Sequence, residues 1–264
     1  MASMSLTASA VDTKSYSFGV VPQQSAKRLA QLWGPLLARL SRESGIKLHF
    51  VTAKNIPEFE RRLASGEYDF AYMNPYHFTT FNASPGYQAV VKRKNQPISG
   101  VVVVHKDSPI NSMLELDGKK MAFPAPAAFA ATILSQSYLQ KEGINYTPSY
   151  VSSHDSVYLA VSKGLFAAGG GVKRTLNNTD SQVKSTLRIL WESKKYTPHA
   201  IASHPRHSDD VIQRLRNALV AMNESEQGQQ LLASLKVKNG FVAAKNSDWD
   251  DVRGLSINSN VINK

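Results

Sequence analysis

The sequence predicts an α/β protein made of two similar halves. Short apolar runs typical of buried strands alternate with amphipathic stretches at helical spacing, which favours parallel sheets covered by helices. Two stretches, "LASGEYDFAYMNP" and "AVSKGLFAAGGGV", each run from a helix end through a glycine into a short strand and a loop. We therefore expect two lobes, each of which presents loops at the carboxyl edge of its sheet.

The first half begins with a strand and a long helix. "YSFGVVP" is typical of a buried strand, and "SAKRLAQLWGPLLARLSRESG" places its apolar residues on one helical face. Ser25 is suited to cap the start of this helix and Gly45 its end, whereas Gly34 and Pro35 predict a kink or an interruption. "KLHFVTA" and "YDFAYM" follow as strands on either side of a short helix, "PEFERRLASG".

The second half continues the alternation. "KKMAFP", "TPSYVSS" and "LFAAGG" are typical of strands, and helices are expected at "AAFAATILSQSYLQKEG" and "HDSVYLAVSKG". After the predicted strands "LRILWES" and "PHAIASH", the chain becomes helical at "DDVIQRLRNALVAM" and "SEQGQQLLASL". We expect Trp249 to hold the polar C-terminal tail against one lobe.

The composition limits the possible functions. The chain has 264 residues, of which 42% are hydrophobic, and no apolar run approaches the ~18 residues that span a bilayer. The absence of cysteine excludes disulfides, thiol catalysis and cysteine metal sites. The net charge is +11, but the basic residues are scattered and lie in no recognisable nucleic-acid module, so we expect no nucleic-acid partner.

Residues 1–15 are small, polar and unpatterned. We expect them to form an irregular segment, added to or preceding the start of a mature chain. They contain no basic region followed by a long apolar segment, so a signal peptide either never existed or was removed before this sequence begins.

Residues 153–156, "SHDS", place serine, histidine and aspartate side by side. Consecutive residues project in different directions, so this adjacency is poor evidence for a hydrolase triad. The apolar spacing that follows predicts a helix capped by Ser153 or Asp155. A sharper interpretation is a helix N-terminus that faces an anion, with His154 beside it.

Other catalytic and cofactor patterns are missing from the sequence. It has no HExxH, CxxC, phosphate-loop or GxSxG motif, and the glycine-rich "AAGGGVK" lacks the spacing of a dinucleotide site. His77, His154 and His199 would bind a metal only if folding gathered them. We predict no metal, no cofactor and no enzymatic activity, because no activated nucleophile is visible.

Six segments, taken in order, resemble the phosphate, phosphite and phosphonate family of substrate-binding proteins of ABC transporters. They are "FGVVPQQSA", "YDFAYMNPYHF", "FPAPAAFAAT", "SSHDSVYLAV", "AAGGGV" and "PHAIASHPR". The resemblance implies a type II periplasmic binding protein fold, in which two α/β lobes joined by two crossover strands enclose the ligand in a cleft. Residues 16–98 and 204–264 would form lobe one and residues 99–203 lobe two, with crossovers near "ISGVVVV" and "PHAIASH".

The same resemblance implies a set of ligand contacts in loops that follow strands, where open α/β sheets bind their ligands. The corresponding positions in this sequence are Gln24, Ser25, Tyr76, Ala127, Ala128, Phe129 and His154. A second group of candidates comprises Asn74, His77, Asp155, Lys173 and His199. Helix N–H groups, phenol, hydroxyl and imidazole donors together suit a small oxyanion.

The sequence departs from the family pattern at two places. Phosphonate-binding members have serine and threonine at the positions that align with Ala128 and Phe129, so two hydroxyl donors are missing here. Members that bind aminoalkyl phosphonates have carboxylates near the positions of Lys173 and His199, so a ligand that carries an amine is disfavoured.

The resemblance implies a monomeric bacterial periplasmic protein that delivers a phosphonate, phosphite or phosphate-like oxyanion to the membrane permease of an ABC importer. The alternative is a sensor of the same fold, which passes ligand occupancy to a membrane receptor kinase or cyclase. The sequence does not separate these two functions.

Overall fold

The computed structural model describes residues 14–255, which form two β-sheets flanked by helices. The chain builds most of the first sheet, passes into the second sheet, and then returns to the first. Each sheet with its helices forms one lobe, so the two-lobe α/β architecture predicted from the sequence is confirmed. Residues 1–13 of the predicted irregular segment lie outside the described residues, and Ser15 already belongs to the first strand.

The strands, in chain order, are β1 (Ser15–Val20), β2 (Lys47–Val51), β3 (Phe70–Met73), β4 (Gln88–Arg93), β5 (Gly100–His105), β6 (Lys119–Phe123), β7 (Tyr146–Tyr150), β8 (Ala168–Val172), β9 (Leu187–Glu192), β10 (Ala200–Ser203) and β11 (Phe241–Ala243). Lobe one contains six of them in the order β2-β1-β3-β10-β4-β11. Lobe two contains the other five in the order β7-β6-β8-β5-β9. In each sheet three parallel strands are followed by one antiparallel strand, β10 in lobe one and β5 in lobe two.

The helices are α1 (Ala26–Ser44), α2 (Ile56–Ala64), α3 (Pro75–Ala83), α4 (Leu134–Lys141), α5 (His154–Ser162), α6 (Lys173–Asn177), α7 (Ser181–Ser185), α8 (Asp209–Ala221), α9 (Glu226–Ser234) and α10 (Asp250–Arg253). A π-helical turn, Phe129–Ile133, leads directly into α4. Within residues 14–255, no helix combines the length and the apolar character that crossing a bilayer requires.

Two passages of the chain connect the sheets, residues 94–99 and residues 193–199. They lie side by side, because Ile98 and Tyr196 form an isolated antiparallel bridge. β10 belongs to the sheet of lobe one, so the lobe boundary expected after residue 203 falls one strand later than the observed change of sheet. The division into two bodies that move independently stays a prediction.

Several predicted helix ends are confirmed. Ser25 caps α1 by accepting a hydrogen bond from the N–H of Arg28, and Gly45 ends the helix in the left-handed conformation, with φ of 68°. Ser153 caps α5 in the same way. The predicted interruption at Pro35 is not observed, because α1 runs continuously through it on a buried apolar face.

Three elements near the cleft were not predicted as such. α3 begins directly after β3, and its N-cap is Asn74. β4 was not predicted as a strand, and β5 was expected only as part of a crossover. β5 is instead the central antiparallel strand of lobe two, hydrogen-bonded to β8 and β9.

The glycines of lobe two let the π-helical turn lie directly on the sheet. A Cβ built on Gly170 would come within 2.0 Å of the carbonyl oxygen of Ala131, and one on Gly100 within 2.1 Å of that of Ala130. Only glycine permits so close an approach of two backbones. The "AAGGGV" motif therefore serves packing, and it fixes where the helix that continues into α4 begins.

Trp249 holds the C-terminal part of the described chain in place, as the sequence predicts. Its indole is fully buried and donates a hydrogen bond of 2.9 Å to the carbonyl oxygen of Pro198. The ring also packs against Phe78 of α3. The last described part of the chain is thus attached to the passage that leads from lobe two back to lobe one.

Replacing Gly170 by alanine should destabilise the protein. The added methyl group overlaps the carbonyl oxygen of Ala131, and overpacking of this kind costs about 1–3 kcal/mol. Gly254→Ala is the matched control, because its φ is −69° and its methyl group would approach the oxygen of Asp250 only to 3.4 Å. Chemical denaturation would compare the two variants, and equal midpoints would contradict the packing role of Gly170.

Candidate functional site

A cleft of about 490 Å³ separates the two lobes on one side of the molecule. Lobe one supplies residues from the end of β1, the first turns of α1, β3, β4 and the loop after α9. Lobe two supplies the start of α5, α6 and the loop that follows α6. The polar residues on its walls are Gln23, Gln24, Arg28, Tyr72, Arg93, His154, Asp155, Arg174, Thr175, Asn177, Asn178, Thr179, Ser234 and Lys236.

Two arginines that are at least partly buried, one from each lobe, line the cleft without a carboxylate partner among residues 14–255. Arg93 ends β4 of lobe one and is buried, and Arg174 lies in α6 of lobe two and is partly buried. Neither forms an ion pair with any carboxylate among residues 14–255. Arg93 donates one long hydrogen bond to the carbonyl oxygen of Leu235, at 3.4 Å, and its Nε has no partner.

The missing counter-charge affects the pKa of the basic groups around the cleft. Burial, with a smaller repulsion from Arg93, lowers the pKa of Arg174 to about 10. Burial also lowers the pKa of His154 to about 4, and the charge of Arg174 acts in the same direction. At neutral pH His154 is therefore an uncharged imidazole, which can donate one hydrogen bond and accept another.

Most of the buried side-chain polar atoms that lack a hydrogen-bond partner within residues 14–255 lie on this cleft. They are both ring nitrogens of His154, the hydroxyls of Tyr72 and Thr179, and Nε of Arg93. Buried polar groups in proteins are normally paired, so each such group requires an explanation. Every one of these side chains can donate a hydrogen bond, so together they are suited to a ligand with several acceptor atoms.

Tyr72 and His199 form the floor that connects the cleft to the interior. Their rings stack at 5.0 Å between centroids, and the guanidinium of Arg93 lies 5.7 Å from the centroid of Tyr72. Nε2 of His199 is 3.1 Å from the amide nitrogen of Gln23. Burial, followed by the nearby charge of Arg174, lowers the pKa of His199 well below its ordinary value.

The inner end of the cleft, where the sequence places the oxyanion, is nearly closed. A cavity of about 10 Å³ remains there, against Ala128, Phe129 and His154, and this is room for about one water molecule. Phe129 is buried and packs edge-on against Tyr196. The side-chain amide of Asn74 donates a 3.0 Å hydrogen bond across the lobes to the carbonyl oxygen of Ala127.

The remaining predicted residues fall into two groups. Gln24 and Asp155 line the cleft with His154. Ser25 lies outside the residues that line it and uses its oxygen as the N-cap of α1. Tyr76 is half-buried outside the lining residues, and burial raises the pKa of its phenol.

His77 and Lys173 are engaged by carboxylates instead. Nε2 of His77 lies 3.0 Å from Glu60, and the ammonium of Lys173 lies 2.6 Å from Glu192. Lys173 lines a second cavity of about 470 Å³, on the side of the connecting passages, which adjoins the cleft at Arg93 and Arg174. Within residues 14–255, no three metal-ligating side chains are grouped as a metal site would require.

Sequence reasoning missed the two arginines, Tyr72, and the residues after α6. The inward position of Arg93 could have been predicted from the sequence, because Arg93 shares one face of β4 with the buried residues Ala89 and Val91. Arg174 follows β8 in the "GGGVKRT" segment, where only Lys173 was chosen as a candidate. Nothing in the local pattern of residues 177–179 indicates that they reach the cleft.

Two α/β lobes that are joined by two passages, with a cleft between them, are typical of periplasmic substrate-binding proteins. The chain belongs to the family described as "ABC transporter, phosphonate, periplasmic substrate-binding protein", whose model matches residues 18–249. The family that the sequence resembles is thereby confirmed. Members of this family are transport receptors, which does not favour the sensor alternative.

Known relatives agree with this family and with the fold. The Phosphate-import protein PhnD of Mycolicibacterium smegmatis is 21% identical over 277 residues, with 90% of this chain and 83% of that protein covered. PhnD1 of Prochlorococcus marinus, solved with methylphosphonate, has a TM-score of 0.82 at 16% identity and covers 91% of this chain and 96% of its own. A binding protein of an ABC phosphonate transporter from Pseudomonas aeruginosa has a TM-score of 0.79 at 17% identity, over 90% and 84% of the two chains. The shared fold is the type II periplasmic binding protein fold.

Protonation of His154 should make stability depend on pH. The folded-state pKa of about 4 lies below the ordinary value of 6.5, so the unfolded chain binds the proton more readily. The contribution of neutral His154 to the free energy of unfolding is then fully present above pH 6.5. It falls by roughly 3 kcal/mol as the pH drops to 4.

His154→Gln should reduce this acid loss of stability, measured as the difference in denaturation midpoint between pH 7.5 and pH 4.5. Part of the dependence of stability on pH should remain in this variant, because the pKa of His199 is also lowered. His49→Gln, at an exposed position of β2, is the matched control and should retain the full acid loss. The same acid loss in His154→Gln as in the natural protein would show that His154 is not the titrating group.

Proposed function

We propose that this protein captures a phosphorus oxyanion in the bacterial periplasm, as a monomer, and delivers it to the membrane permease of an ABC importer. The observation that supports the proposal is the pair formed by Arg93 and Arg174, which line the cleft from opposite lobes and form no ion pair with a carboxylate among residues 14–255. Holding a buried and a partly buried cation without counter-charge is costly, so such a pair is suited to an anionic ligand.

The anion would lie between the two guanidinium groups, beside His154 and Tyr72. Arginine presents a planar fork of N–H donors that matches phosphate oxygens in pairs, which gives both affinity and orientation. The unpaired hydroxyl of Tyr72 and one N–H of His154 would donate to the remaining oxygens. Gln23 stands next to them, although its amide already contacts His199.

This position lies to one side of the helix start that the resemblance implies as the anion site. Ala128 and Phe129 fill that place and leave only about 10 Å³. In this proposal, positive side chains replace the hydroxyl donors that Ala128 and Phe129 lack. Of the residues predicted from the sequence, His154 remains a direct contact, and Gln24 and Asp155 lie on the wall.

The charges also couple ligand binding to lobe closure. Without a ligand, Arg93 and Arg174 repel each other across the cleft, and this repulsion favours separation of the lobes. An anion between them turns repulsion into two attractions that exist only when the lobes are close together. Because it binds the closed form more tightly, it shifts the population toward closure, which a permease can recognise.

Arg93→Gln and Arg174→Gln should each weaken anion binding roughly tenfold to a hundredfold, the loss expected for one charged hydrogen bond. Calorimetry of the ligand-free protein with inorganic phosphate, phosphite, methylphosphonate and sulfate would measure it. Arg61→Gln is the control, because Arg61 is an exposed arginine paired with Glu58 and Glu67. Unchanged affinity in both cleft variants, or no binding of any anion by the folded natural protein, would overturn the proposal.

Arg174→Gln should also close the lobes when no ligand is present, because the repulsion is removed. The chain contains no cysteine, so cysteines introduced at the exposed positions Gln31 and Lys163 can carry labels that report the distance between lobes. We expect the ligand-free distance to be shorter in Arg174→Gln than in the natural protein or in Arg61→Gln. Identical distance distributions in all three proteins would contradict charge-controlled closure.

A further inference from the structure

The space in the cleft is unevenly distributed around the proposed anion site. The inner cavity holds about 10 Å³, whereas the cleft outside it has about 490 Å³. The hydrogen bond from Asn74 to Ala127 and the buried ring of Phe129 show that the lobes already touch at the inner end. The two lobes are thus in contact at the inner end of the cleft, while the outer part of the cleft is open.

The volume of the outer cleft suits an organic molecule better than a bare oxyanion. A water molecule takes about 30 Å³ of liquid, so an anion with a handful of non-hydrogen atoms would leave most of the cleft to solvent. Clefts that bind organic ligands measure about 300–1,000 Å³. The observed 490 Å³ falls within that range.

The two walls of the outer cleft differ in chemistry. α1 of lobe one contributes an apolar wall of Leu29, Leu32 and Trp33. Residues 177–179 of lobe two, Asn-Asn-Thr, contribute a polar wall of two amides and a hydroxyl. The hydroxyl of Thr179 is buried and lacks a partner within residues 14–255. With the lobes in the observed arrangement, a bare oxyanion on the two arginines would leave both walls facing water.

Building on the function proposed above, we propose that the ligand is an organic phosphate monoester or phosphonate whose organic part fills the outer cleft. Its terminal phosphoryl group binds Arg93 and Arg174, and its organic part lies between α1 and residues 177–179. One side of the organic part is apolar and packs on Leu32 and Trp33. The other side carries oxygen or nitrogen acceptors for Thr179 and the neighbouring amides.

A ligand series tests the size of the bound molecule. Calorimetry on the ligand-free protein would compare inorganic phosphate and methylphosphonate with glycerol 3-phosphate, phenyl phosphate and adenosine 5′-monophosphate, and adenosine would control for the organic part alone. We expect at least one organic phosphate to bind about tenfold or more tightly than both small anions, and adenosine not to bind. If a small anion binds as tightly as every organic probe, this inference fails while the proposed function stands. If no probe binds, both fail.

A cleft-filling variant tests the location of the organic part. Leu32→Trp places a larger ring in the outer cleft and should reduce the affinity for the best organic phosphate about tenfold more than that for methylphosphonate. Gln31→Trp, at the neighbouring exposed position of α1, should leave both affinities unchanged. Thr179→Val removes the unpaired hydroxyl with little change of shape and should also lower the organic affinity selectively. Equal losses for both ligands in Leu32→Trp and in Thr179→Val would place the organic part elsewhere and overturn the inference.

Discussion

The central physical constraint on this molecule is positive charge at the lobe interface that pairs with no carboxylate among residues 14–255. Arg93 and Arg174 lie at the ends of secondary-structure elements in different lobes, so their positions are set by two separate sheets. Tyr158 of α5 helps to fix the second one, because its hydroxyl bonds both to the backbone of Val172 and to Thr175. Each arginine is therefore positioned by its own lobe, and a larger separation of the lobes would weaken the repulsion between the two charges.

The packing of lobe two explains why the charged site lies beside the helix start. Gly100 and Gly170 let the π-helical turn lie directly on the sheet, which fixes the position of Phe129 at the lobe interface. A phenylalanine there makes the inner end apolar, and the first residues of the π-helical turn line a cavity of about 10 Å³. An anion needs several donors and enough room, so the neighbouring cationic part of the cleft is the better place for it.

Much of the fold could be predicted because it depends on local patterns. The spacing of apolar residues, Ser25 and Ser153 as caps, and Gly45 as a helix end are all visible in the sequence. The candidate site was harder to predict from the sequence, because it depends on which long side chains come together when the lobes pack. In "VKRKNQ" the three basic residues look alike, yet Lys92 pairs with Asp248 on the outside while Arg93 points inward.

In the function proposed above, uncompensated charge would also give the receptor a means to distinguish its loaded and empty states. Apolar contacts at Phe129 and the hydrogen bond from Asn74 favour closure whether or not a ligand is present. If they acted alone, the empty protein would close and would compete with the loaded protein for the permease. In the proposed function, repulsion between the two arginines opposes these contacts, and a bound anion removes it. The closed form that a permease recognises is then populated chiefly when cargo is bound, because the ligand supplies the missing free energy difference between the two states.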